Sequence, residues 1–146
     1  MGRPTRFSRR TSPSRGEILD VPVDEHWQDA PEEHDFPAAA DYLSLLAPAS
    51  EVSKVVDALR AAETVHYKAK DLLRASRLGL LPPDNVHVKK DLEKVASGKR
   101  LSPVLIVRGR ADKGVALTVA DGYHRICASH HLDENADVSC RLVAWP

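Results

Sequence analysis

The sequence predicts a small α+β domain with a mixed β-sheet and flanking helices, preceded by a polar tail. Three observations carry this prediction. Val52, Val55, Val56 and Leu59 recur at helical spacing. Val104 to Val107 form an apolar run of strand length, followed by a turn and a second β-rich stretch. Residues 117–132 then pass from a strand through Gly122 into a helix, and Val138 to Val143 return to β.

Taken in order, Ala38 to Ala47 form a short helix closed by Pro48, and Ser50 caps the helix that carries the valine stripe. From Val65 the period changes to two: Val65, Tyr67 and Ala69 alternate with His66, Lys68 and Lys70, as in a half-buried strand. Asp71 caps a brief turn through Leu72, Leu73 and Arg74. Pro82 and Pro83 interrupt the chain, and Asp84 opens a helix whose Val88, Leu92 and Val95 share one stripe before Gly98 stops it. Val104 to Val107 and Val115 to Ala120 make a hairpin about the polar turn Arg110 to Gly114. The helix ending at Leu132, a loop over 133–137 and the last strand complete the order.

Charge is divided unevenly along the 146 residues. Residues 1–16 hold five arginines and no acid, whereas residues 17–41 hold nine acids and no Lys or Arg. Such blocks, with prolines scattered through them, bury too little apolar surface to offset the entropy of ordering. The expected organisation is a disordered tail over 1–37, amino-terminal helices over 38–64 and a sheet-bearing domain over 65–146. Lys plus Arg and Asp plus Glu both total 21, which denies the chain whole-surface attraction to nucleic acid. Cys127 and Cys140 are too few for a disulfide scaffold, and no stretch reads as a secretory or membrane-spanning segment, so a cytoplasmic protein is expected.

The chemistry-bearing stretch is Asp121-Gly122-Tyr123-His124-Arg125. The first turn of a helix leaves backbone N–H groups unpartnered and carries partial positive charge, so it stabilises an anion. Gly122 permits close backbone approach, while His124 and Arg125 are cationic donors suited to phosphate oxygens.

This helix–strand–hairpin–motif–helix–strand order, with Asp-Gly-Tyr-His-Arg at the turn, resembles the nucleotide-binding domain shared by ParB partition proteins and sulfiredoxins, over roughly residues 65–143. Gly122, His124 and Arg125 match the Asp-Gly-X-His-Arg form of uncharacterised relatives. The resemblance implies a ParB/sulfiredoxin-like fold that binds a nucleoside triphosphate or another phosphate ligand, with an extension to hydrolysis or phosphoryl transfer. Tyr123 stands where sulfiredoxins carry their attacking cysteine, so their repair chemistry is not expected. It also replaces the acid that in ParB helps hold a divalent cation; Mg²⁺ accompanying the nucleotide would then turn to Asp121, which otherwise reads as a turn or cap residue. Asp71 and Arg74 follow the strand that forms one pocket wall in those families and are weaker candidates.

Other groupings carry less. His124, Cys127 and His131 share a helical face near Cys140, but structural zinc sites bring their ligands in close pairs from turns. Lys99 and Arg100 lack the Gly-x-x-x-x-Gly-Lys spacing of a phosphate loop, and Lys89, Lys90 and Lys94 read as a solvated helix face. Two other functional classes stand beside nucleotide binding. One is a DNA-associated partition, regulatory or nuclease-type module, disfavoured by the lack of room for a helix-turn-helix domain. The other is a non-catalytic domain that docks a protein partner through the tail and first helices. On this reading Arg125→Ala abolishes nucleotide-induced thermal stabilisation and leaves the fold intact.

Overall fold

The computed structural model describes residues 26–146; the Arg-rich start and the first part of the acidic block, both within the expected tail, lie outside the described residues. The chain is α+β. Helices α1 (Asp35–Leu43) and α2 (Ala49–Ala61) precede strand β1 (Val65–Lys68), helices α3 (Ala69–Ser76) and α4 (Val86–Ala96) and strand β2 (Val104–Val107). Strand β3 (Thr118–Asp121), helix α5 (Tyr123–Leu132) and strand β4 (Asp137–Val143) follow. One mixed sheet is ordered β1-β4-β2-β3, with β4 parallel to β2 and antiparallel to β1, and β3 antiparallel to β2.

The apolar run at 104–107 explains the layering. A strand buried on both faces needs side chains that avoid water on both sides, and all four residues of β2 are buried. Val104 and Ile106 join a core with Leu72, Val88, Ile126, Val138 and Cys140, drawn from α3, α4, α5 and β4. Leu105 and Val107 face the opposite way, into a second core with Phe36, Leu43, Val55 and Leu59 of α1 and α2. The sheet is thus covered on both faces, and each fully buried Val, Leu or Ile contributes about 1.5–3 kcal/mol.

This layering moves the expected boundaries. The packed chain begins well before residue 38: Trp27 is buried and forms a parallel bridge with Leu101, and Asp35 and Phe36 are buried as well. Residues 26–37 are therefore packed chain, because Trp27 and Phe36 supply apolar area that the count of nearby acids conceals. The first helices share the sheet's core and form one packed unit with it.

Several elements also begin or end elsewhere. Helix α1 starts at Asp35, with Pro37 tolerated in its first turn, and ends at Leu43. Helix α2 starts at Ala49, with extended Pro48 as its cap in place of Ser50. Asn85, not Asp84, caps α4, its Oδ1 accepting from the His87 and Val88 amides at 3.0 and 3.2 Å. Strand β1 stops at Lys68, and Ala69 opens a two-turn helix that buries Leu72 and Leu73, so Asp71 lies inside a helix rather than capping a turn. β1 is an edge strand with Val65 and Tyr67 38% and 42% exposed, not half-buried. The β2–β3 pair is antiparallel as expected, but β3 begins at Thr118 because the Leu117 amide bonds the Ala75 carbonyl at the end of α3. The turn tightens into a short 3₁₀ segment, Ala111–Lys113. Among the described residues no helix is long and apolar enough to cross a membrane.

Candidate functional site

The site grows from the β3–α5 junction. Gly122 follows β3 at φ 113°, a conformation that a side chain strongly disfavours. A Cβ there would sit 2.7 Å from Val104 Cβ, closer still to its Cγ1, and 3.0 Å from Arg125 Nη2. Glycine therefore lets the junction lie directly on central strand β2. It is also the N-cap of α5, and with no side chain it leaves the first-turn N–H groups without a side-chain acceptor from that position.

Arg125, in the first turn of α5, points inward. Its Nη2 donates to Asp121 Oδ2 at 2.6 Å, and its Nη1 donates to the Ser102 carbonyl at 2.8 Å and lies 3.5 Å from Asp35 Oδ2. The Ser102 hydroxyl donates to the same Asp35 oxygen, which also accepts the Glu32 amide at 3.2 Å. Side-chain exposures of 13% for Arg125, 7% for Asp35 and 21% for Asp121 keep this cluster largely out of water. Burial pushes the Asp121 carboxyl above its ordinary value against the pull of Arg125, and the Asp35 carboxyl adds to the push. Arg125 thus ties β3, the loop before β2 and α1 together. Removing it would leave buried Asp35 and partly buried Asp121 without their guanidinium, a loss of up to about 3–5 kcal/mol, so Arg125→Ala is expected to weaken the fold as well as the cleft.

Outside this cluster opens a cleft of about 390 Å³, bounded by Gly122, His124 and Arg125, by His87, Lys90, Asp91 and Lys94 of α4, by Arg100 to Ser102, and by Glu32, His34 and Asp35. The His124 and His87 rings meet at a centroid distance of 4.8 Å. Burial and His87 lower the His124 value, with Arg125 lowering it further and Asp91 opposing, so His124 is held toward its neutral form. Asp91 is raised by burial against four nearby cations or imidazoles: Arg125, Lys94, His124 and His87.

Of the expected site residues, Asp121, Gly122, His124 and Arg125 come together at this cleft. Tyr123 turns away: its hydroxyl donates to the Gly79 carbonyl and its ring packs on the core. Asp71 and Arg74 do not join them. They pair with each other at 3.1 Å and line a separate hollow of about 330 Å³ with Lys68 and Lys70. Asp121 Oδ2 is taken up by Arg125, and Asp91 is a second carboxylate lining the cleft. Among the described residues no cluster of three His, Cys, Asp or Glu is arranged to hold a metal. Both cysteines are free and buried, and burial pushes the Cys140 thiol up to about 12.

Sequence reasoning missed Asp35, hidden within an acidic block, and set aside Lys90, Lys94 and Arg100. The four-residue spacing of Lys90 and Lys94 does put both on one helical face; what the sequence lacks is that this face borders α5. No family model, curated protein or solved structure matches the chain.

Proposed function

We propose that this chain binds a phosphate-bearing ligand, a nucleoside triphosphate foremost, in the cleft at the start of α5. The observation that carries the reading is one cleft in which the first turn of α5 and the His124–His87 ring pair face Lys90, Lys94 and Arg100. Its volume lies within the ~300–1,000 Å³ range of small-molecule sites. The Asp-Gly-Tyr-His-Arg resemblance to ParB/sulfiredoxin-like domains supports the same ligand class. Roles differ from a simple reading of the motif. Phosphate oxygens meet the α5 amides, His124 and the lysines, while Arg125 forms the wall behind them. Were Mg²⁺ to accompany the nucleotide, Asp91 is the cleft carboxylate that would hold it, and the ion would offset phosphate charge. Two free buried thiols fit a cytoplasmic setting.

A ligand that binds only the folded form raises its melting point. The test is therefore thermal stabilisation by ATP, CTP, GTP, UTP and their diphosphates, with and without Mg²⁺, on the parent and on a Lys90→Ala/Lys94→Ala variant. Both lysines are exposed, so the variant should fold. Stabilisation of the parent that falls in the variant supports the reading; no stabilisation by any of the eight compounds, or equal stabilisation of both proteins, overturns it.

A further inference from the structure

Between α3 and α4 the chain lies along one side of α5, and its own backbone does little to hold it there. Pro82 and Pro83 carry no N–H, and from Gly79 to Pro83 the backbone closes on itself, among the described residues, only where the Asn85 amide donates to the Pro82 carbonyl at 3.0 Å. Side chains of α5 hold the segment instead. Tyr123, Cys127 and His131 recur at four-residue spacing, on one face of the helix. The Tyr123 hydroxyl donates to the Gly79 carbonyl, His131 Nε2 lies 2.7 Å from the Leu81 carbonyl, and the Cys127 thiol shares a hydrogen bond with the Leu81 backbone. Leu81 packs on the core beneath, while Leu78 and Leu80 stay exposed. Residues 78–85 are thus a strap clasped by α5.

The strap leads straight into a wall of the cleft. Asn85 caps α4 at its end, and His87, Lys90 and Lys94 then fall on one stripe along that wall. Tyr123 is followed by His124, whose ring meets that of His87 at 4.8 Å. The first turn of α5 therefore grips the strap with one side chain and presents the next to the cleft. We propose that Tyr123 is a positioning residue: it latches the strap, and so sets how far the start of α4 stands from the start of α5, which is the width of the cleft. The ligand of that cleft rests on the reading given under Proposed function. The tyrosine ring packs on the core through its own surface, so loss of the hydroxyl alone loosens the strap and the first turns of α4 while the sheet stays packed.

Tyr123→Phe keeps the ring and removes only the hydroxyl. Amide hydrogen exchange of the ligand-free full chain reads the latch without any ligand. The expected result is exchange faster by about threefold to tenfold at Leu81 and at residues 89–92, the range that follows from losing one hydrogen bond, with β2 and β4 unchanged. A merely structural role would speed exchange in every element together, in step with a lower melting point. That result, or exchange at 81 and 89–92 equal to the parent's, overturns the latch. Titration with inorganic phosphate then reads the cleft. Binding about threefold to tenfold weaker in Tyr123→Phe than in the parent supports the positioning role; equal binding by the two proteins overturns it while leaving the phosphate site standing. A parent that binds no phosphate overturns the phosphate reading, and the exchange measurement alone then decides for or against the latch.

Discussion

Replacing Gly122 by alanine probes the junction on which the site is built. Two costs are expected. The backbone at φ 113° is strained for any side chain, about 1–2 kcal/mol. The new Cβ would also press on Val104, 2.7 Å from its Cβ, in a strand packed on both faces; overpacking of this kind costs about 1–3 kcal/mol. The sum, about 2–5 kcal/mol, is a large share of the ~5–15 kcal/mol typical of a folded domain. Gly98→Ala is the control: φ is 83°, but nothing lies within 4 Å of the added Cβ, so strain alone remains. Urea unfolding followed by fluorescence of buried Trp27 gives both midpoints. Gly122→Ala should unfold at clearly lower urea than Gly98→Ala with an unchanged slope. Equal midpoints would refute the claim that close approach to β2, rather than backbone conformation alone, requires glycine here.

Further expectations concern other parts of the site. Asn85→Ala removes the cap of the helix that carries Lys90 and Lys94 and should cost ~0.5–2 kcal/mol in the same assay. For Asp91, whose value is raised in the folded state, ionisation disfavours folding: stability is lost as pH rises through the folded value and regained toward and below the ordinary value of 3.8. Asp91→Asn should therefore be more stable than the parent at neutral pH, with the gap closing on acidification, as measured by melting points across pH. Cys127 and Cys140 should resist a thiol reagent in the native protein and react fully once it is unfolded; prompt native reaction of either would contradict their burial.

Local chemistry explains which parts of the fold were legible in the sequence. The run at 104–107 announced a strand, because burial on both faces demands consecutive apolar residues, and Gly122 announced the turn into α5. Helix α5 begins at Tyr123 and ends at Leu132, as its motif and periodicity suggested. Alternation at 65–70 misled, because an edge strand can alternate without burying either face, and Ala69 serves a helix instead. The tail reading failed at its inner end for a related reason: Asp35 looks like one more solvated acid until Arg125, ninety positions away, supplies its partner. The lining of the candidate cleft was legible where it is local, at Asp121, Gly122, His124 and Arg125, and not where it depends on tertiary placement. Arg125 as donor was legible as a residue type, but its direction depends on two carboxylates that only folding brings together. The lysines of α4 gain meaning only from the α4–α5 neighbourhood.

The most direct measurement of the proposed anion site is an amide NMR titration with inorganic phosphate and with each nucleotide that stabilises the protein. Binding at the start of α5 predicts the largest shifts at the amides of Tyr123, His124 and Arg125, accompanied by residues 87–94 of α4. Shifts confined to the hollow formed by Lys68, Lys70 and Arg74, or none at saturating ligand, would contradict it.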